Sequence, residues 1–283
     1  MKLFRILVLT VVLAVLTPAV SGWSADDNLL RSAQKLLDAY GQGKMAEMVK
    51  AMDQLKAAGL SWQPSLTAPI KNLFECKDDE NLRVLHGIYF FDTNYAALFA
   101  KKQEFLDFRN TVTTEIHKRL LPSRRWGDAE PTPPEVLRNY VEDPADPARR
   151  DALLASLNKR LESKIRLAGT DPEVMDYLVD FFYGSLIEGL YVTLSLARDE
   201  TIGPELVAIF NQQAKEIIQF DLALQSFEKP ELAKMVNLLE RDAILAPIKD
   251  LILQKKGQLT NQDVKDLLAK IKPVRDSYVT VCK

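Results

Sequence analysis

Residues 171–198 form a helical pattern with almost no polar face. A step of 100° per residue distributes Leu178, Val179, Phe181, Phe182, Tyr183, Leu186, Ile187, Leu190, Val192, Leu194 and Leu196 over about three quarters of the circumference. Such a helix has to be enclosed by others, which restricts the chain to a bundle with a buried central rod. The remaining sector holds Asp180, Gly184, Glu188, Tyr191 and Ser195. One reading gives this stripe to solvent, or to Tyr hydroxyls and Arg side chains inside the bundle. The other points Glu188 into an internal groove, with Ser185 and Gly189 at a small-x-x-x-small spacing that lets a neighbouring helix or a ligand approach. Either way, a buried carboxylate must be paired, hydrated or protonated.

A second pattern of this kind starts at Asp78. Leu85, Ile88, Tyr95 and Phe99 share a seam, and Asp92 interrupts it. An acid in an apolar seam breaks the local rule, and such breaks concentrate at functional or register-setting positions. A structural Asp bonded to a Tyr, Trp or Arg is one explanation; a ligand contact is the other. Asp92, Tyr95, Glu188 and Tyr191 are therefore the candidate ligand-binding or buried polar residues. Gly87, Gly184, Ser185 and Gly189 are the candidate close helix contacts.

Period-2 alternation with β-branched enrichment is not sustained anywhere. Helical signals predict segments at about 26–40, 44–58 and 65–75, then a long one from Asp78 towards Leu121 with a possible break near Lys101. Pro122, Pro131, Pro133, Pro134, Pro144 and Pro147 mark 122–147 as a linker or surface excursion with room for one short helix at 135–141. Helices resume at about 147–167, 171–198, 203–227, 230–256 and 261–279. Pro172 and Pro230 suit first helical positions, whereas Pro247 and Pro273 fall inside apolar-periodic runs and predict kinks or breaks. The expected fold is all-α: a bundle of about 8–10 helices around two central apolar ones, forming a single domain over 23–283.

The first 22 residues predict where the chain goes. A basic start (Lys2, Arg5), an apolar run from Ile6 to Leu16 interrupted by Thr10, and Pro18 followed by small residues make a cleavable export signal. Its apolar core is about 11 residues, against roughly 20 for a spanning anchor, so no stable membrane anchor is expected after cleavage near Ser21 or Gly22. The expected location is periplasmic or secreted. Without that segment, 35 basic residues face 39 acidic ones and no basic stripe stands out, which gives no electrostatic reason to bind nucleic acid. Hydrophobic residues make up 47% of the chain, enough for a sizeable core. Cys76 and Cys282 are the two cysteines, and export allows them to form a disulfide. Closing so long a loop would stabilise by about 2–4 kcal/mol; two unrelated thiols are the alternative.

The segment Gly87-Ile-Tyr-Phe-Phe-Asp-Thr-Asn-Tyr-Ala96, followed by Tyr183-Gly-Ser-Leu-Ile-Glu-Gly-Leu-Tyr191, resembles a pattern in a loosely defined group of exported, all-helical bacterial proteins with no assigned activity. The likeness covers roughly 80–200. It implies a helical bundle with Gly87, Asp92, Tyr95, Gly184, Glu188 and Tyr191 at helix contacts, and implies nothing about mechanism.

Chemical signatures are sparse. His86 and His117 are the two histidines, and no Glu-x-x-His, His-Glu-x-x-His, Cys-x-x-Cys-His, phosphate-binding Gly-rich loop or Gly-x-Ser-x-Gly elbow occurs. No metal, cofactor or catalytic residue is expected. Non-covalent haem on a His and a Met is geometrically conceivable but has no supporting motif. The first expectation is a non-enzymatic interaction or structural module with an unknown protein partner. The alternative is a small-molecule binder with an aromatic-lined pocket between the two central helices, beside Asp92, Tyr95, Glu188 and Tyr191. A cavity at those residues favours the second; a close-packed core with an outer apolar patch favours the first. Acid-base catalysis by the two carboxylates ranks third.

Overall fold

The computed structural model describes residues 25–40, 53, 56, 61–70, 79–112, 132–198, 202–225 and 238–280. Among them are nine α-helices and no strand. In chain order they are α1 (Ala25–Tyr40), α2 (Asp79–Leu98), α3 (Lys102–Thr111), α4 (Pro134–Glu142), α5 (Pro147–Ala168), α6 (Pro172–Ala197), α7 (Pro204–Gln225), α8 (Leu238–Gln254) and α9 (Asn261–Thr280). The protein is an all-α bundle, as the periodicity predicts. Among the described residues, no helix is long and apolar enough to cross a membrane.

α6 is the enclosed rod. It touches α1, α2, α5, α7 and α9, and α2 in turn touches α3, α5, α6 and α9. Its start is set locally: Asp171 Oδ1 accepts from the backbone N–H groups of Glu173 and Val174 at 3.1 and 3.4 Å, and Pro172 occupies a position whose N–H has no helical partner. Asp146 and Pro147 start α5 by the same device.

α2 and α6 approach each other closely, and glycine permits it. A Cβ on Gly87 would lie 1.8 Å from the Phe181 carbonyl oxygen, and one on Gly184 would lie 2.0 Å from that of Val84. The two backbones are in direct contact there. Ser185 is half-buried beside the crossing, its backbone nitrogen next to Gly87, and Gly189 faces the Phe91 ring.

The break allowed for near Lys101 occurs: α2 ends at Leu98 and α3 begins at Lys102. Ala100 takes a left-handed conformation (φ 55°), Lys101 N–H reaches Ala96 O at 2.8 Å and Ala100 N–H reaches Ala97 O at 3.1 Å. This is a Schellman cap built without glycine. The helix expected at 65–75 begins instead as a single 3-10 turn, Pro64–Leu66, and residues 67–69 are not helical. Pro69 accounts for this, because it biases Ala68 towards extended backbone. No break occurs at Pro247 or Pro273; α8 and α9 run through them. Both prolines, and the residues Ala243 and Ala269 whose carbonyls they release, lie exposed, a setting in which a freed carbonyl can be solvated.

The export signal, most of the helix expected at 44–58, residues 122–131 of the linker, His117, and the Cys76 and Cys282 pair lie outside the described residues.

Candidate functional site

Two polar features lie against the central pair of helices. The first joins α2, α6 and α9. Glu188 is fully buried, and Arg275 of α9 meets it with two parallel hydrogen bonds, Nε to Oε2 at 2.8 Å and Nη2 to Oε1 at 2.9 Å. Arg275 Nη2 also donates to the Leu66 carbonyl at 3.0 Å, and the guanidinium lies over the Tyr191 ring at 4.3 Å. Asp92, also fully buried, accepts from the Ala68 N–H at 2.9 Å through Oδ2, while Oδ1 has no donor.

Asp92 and Glu188 are neighbours, and two carboxylates bond each other only through a proton. Burial first, and the Glu188 charge second, push the Asp92 carboxyl well above the usual carboxylate range. Burial pushes Glu188 up as well, but its bonds to Arg275 and its contact with Asp92 oppose this. The proton therefore rests on Asp92, beside a Glu188 whose carboxylate Arg275 holds. With Arg275 cationic, the cluster is neutral, and its parts bridge three helices and the 3-10 turn. Tyr95 packs beside it against Trp62, with ring centroids 4.6 Å apart, and its hydroxyl accepts from the Gln63 N–H at 3.4 Å. Burial pushes that hydroxyl up to about 12.

The polar stripe of α6 thus meets arginines inside the bundle. Asp180 is paired in the same manner, with Arg83 Nε at 2.6 Å.

The second feature is a partly open cavity of about 110 Å³ beside the α2–α6 crossing, closed by α3 and α5. Its wall is mostly apolar: Phe90 from α2, Leu178 and Phe181 from α6, Leu157 and Leu161 from α5. A water occupies about 10–15 Å³ on the same measure, so the space suits several waters or one small ring. His86 closes one end, its Nδ1 in contact with the Tyr177 hydroxyl and its ring edge-on to Phe181 at 4.9 Å.

Three cations line this cavity: Arg109, Arg160 and Lys164. Burial holds the Arg109 guanidinium below its usual value, and burial together with the Arg109 charge does the same to Arg160. The Nε of Arg160 is buried and has no acceptor. Leaving a donor in that state costs about 1–3 kcal/mol.

None of Asp92, Tyr95, Glu188 and Tyr191 lines the cavity. Glu188 and Tyr191 hold Arg275 between them, with Asp92 beside the pair. Sequence reasoning missed Arg275, Arg109 and Arg160, though a signal for Arg275 was present. It follows Leu267 and Ile271 at intervals of four and precedes Val279 by four, so it stands in the buried stripe of α9 as Asp92 stands in that of α2. Arg160 similarly falls between Leu157 and Leu161. No group of three side chains able to hold a metal ion comes together among the described residues.

No protein-family model, curated protein or solved structure matches the chain.

Proposed function

We propose that this protein is an exported, non-enzymatic helical protein that binds a small molecule in the cavity between α2, α3, α5 and α6. The supporting observation is the cavity itself: a space of about 110 Å³ with an aromatic wall, set beside the central pair of helices. Bundle proteins bind small molecules between helices, and an apolar wall with a few polar groups is the usual composition of such sites. The buried Asp92, Glu188 and Arg275 serve as the structural pin that holds α9 and the 3-10 turn against the central pair.

A protein-docking role has less to rest on. Among the described residues, the large apolar side chains that stand exposed are Leu30 and Leu253, on two different helices.

The test is calorimetric titration with 4-phenylbutanol, a neutral compound with one ring. Saturable binding by the native protein, lost when Leu157→Trp fills the cavity and retained in the surface variant Leu253→Ser, is the expected result. Equal binding by the Leu157→Trp and native proteins, or none by either, overturns the assignment.

A further inference from the structure

We infer that the cavity takes an amphiphile with an oxyanion head, a carboxylate or phosphate carried on a small apolar body, and that Arg109 and Arg160 clamp that head. The inference rests on the binding role proposed above and specifies the ligand's chemistry.

Arg109 comes from α3 and Arg160 from α5, so two separate helices bring like charges to one apolar space. Each guanidinium is partly removed from water, and Arg109 raises the electrostatic cost at Arg160. Three core-facing cations elsewhere have carboxylate partners: Arg275 with Glu188, Arg83 with Asp180, and Lys249 with Asp221. Among the described residues, Arg109 and Arg160 have no such partner. Arginine does not lose its proton in proteins, so the cavity retains uncompensated positive charge.

The unmet need is specific in kind. The buried Nε–H of Arg160 has no acceptor. A guanidinium presents its donors as a planar fork that matches two oxygens of a carboxylate or phosphate. An oxyanion placed between the two arginines supplies acceptors and charge together. Phe90, Leu178 and Phe181 then face the part of the ligand that water disfavours. A neutral apolar molecule would leave the arginines as they are. A bare anion would leave the aromatic wall uncovered.

The experiment titrates the full protein with three probes that share one body: 4-phenylbutyrate, 4-phenylbutyl phosphate and 4-phenylbutanol. At least one anion is expected to bind about tenfold tighter than the alcohol, with the preference shrinking as salt is raised. Arg160→Gln and Arg109→Gln are each expected to reduce the anion's affinity about tenfold while leaving that of the alcohol within about twofold. Whichever anion binds tighter identifies the head group. If all three probes bind alike, the clamp is refuted and the cavity assignment stands. If none binds, both fall. The preference in the native protein decides the matter even where a variant fails to fold.

Discussion

Replacing Arg275 with Met removes the guanidinium but keeps most of the length and packing of the stem. Three interactions go at once: the paired bonds to Glu188 at 2.8 and 2.9 Å, the bond to the Leu66 carbonyl at 3.0 Å, and the cation over Tyr191. Glu188 is left fully buried beside another acid. Breaking a buried ion pair by removing one partner costs about 3–5 kcal/mol, most of it from the stranded charge. The Leu66 carbonyl overlaps with that figure, since the groups act as one network. At about 2–4 °C per kcal/mol for a chain of this size, the melting temperature falls by roughly 6–20 °C.

The loss is also pH-dependent. Without Arg275, burial pushes the Glu188 carboxyl up, so the folded state holds a proton that the unfolded chain releases above its ordinary value, near 4.5. The deficit of Arg275→Met against the native protein is therefore smallest near pH 4 to 5 and grows as pH rises towards 8. Urea denaturation followed by circular dichroism measures it, as a lower midpoint at unchanged slope. A second substitution, Glu188→Gln, removes the stranded charge and is expected to recover about 1–3 kcal/mol. A deficit for Arg275→Met under about 1 kcal/mol, or no recovery in the double variant, refutes the account of the cluster as a buried, desolvated pin.

Asp92→Asn tests where the proton lies. Because the folded-state value of Asp92 is raised above the usual 3.8, its stabilising contribution is complete below about pH 4 and is lost as pH rises through the raised value. Asparagine keeps the acceptor for Ala68 and donates to Glu188 without titrating, so the variant gains on the native protein between pH 5 and 8, by at most about 1.4 kcal/mol per pH unit. Parallel pH profiles in denaturant titrations would show that Asp92 is ionised. Gly87→Ala drives a methyl into the Phe181 carbonyl and is expected to cost more than about 3 kcal/mol or to abolish folding. Gly189→Ala meets only the Phe91 ring, at 3.1 Å, and is expected to cost under about 1.5 kcal/mol; equal losses for the two, read from thermal melts, contradict the backbone contact at the α2–α6 crossing.

Both central helices were legible from residue order, because an apolar circumference admits one environment and periodicity registers it directly. Asp171-Pro172 and Asp146-Pro147 likewise mark helix starts through interactions within three residues. Asp92 and Glu188 stood out as acids in apolar surroundings. Their mutual placement and their partner Arg275 did not, since residues 87 to 183 positions apart in the chain meet only through the packing of α2, α6 and α9. A break near Lys101 was one of two options in the sequence, and its form was not legible: the left-handed turn falls on Ala100, a residue type that seldom adopts it, held by the cap bonds to Ala96 and Ala97.

From order alone, then, the chain determined its class, most helix boundaries, its two innermost rods and the acids that do not belong on them. Tertiary structure decided which charges meet. It set Arg275 against Glu188 in the core and left a cavity beside the glycine crossing, lined by Arg109 and Arg160 with no carboxylate partner for either among the described residues. Periodicity reports which face of a helix is buried, whereas the partner on that face depends on how helices distant in the chain cross and on how closely their backbones approach.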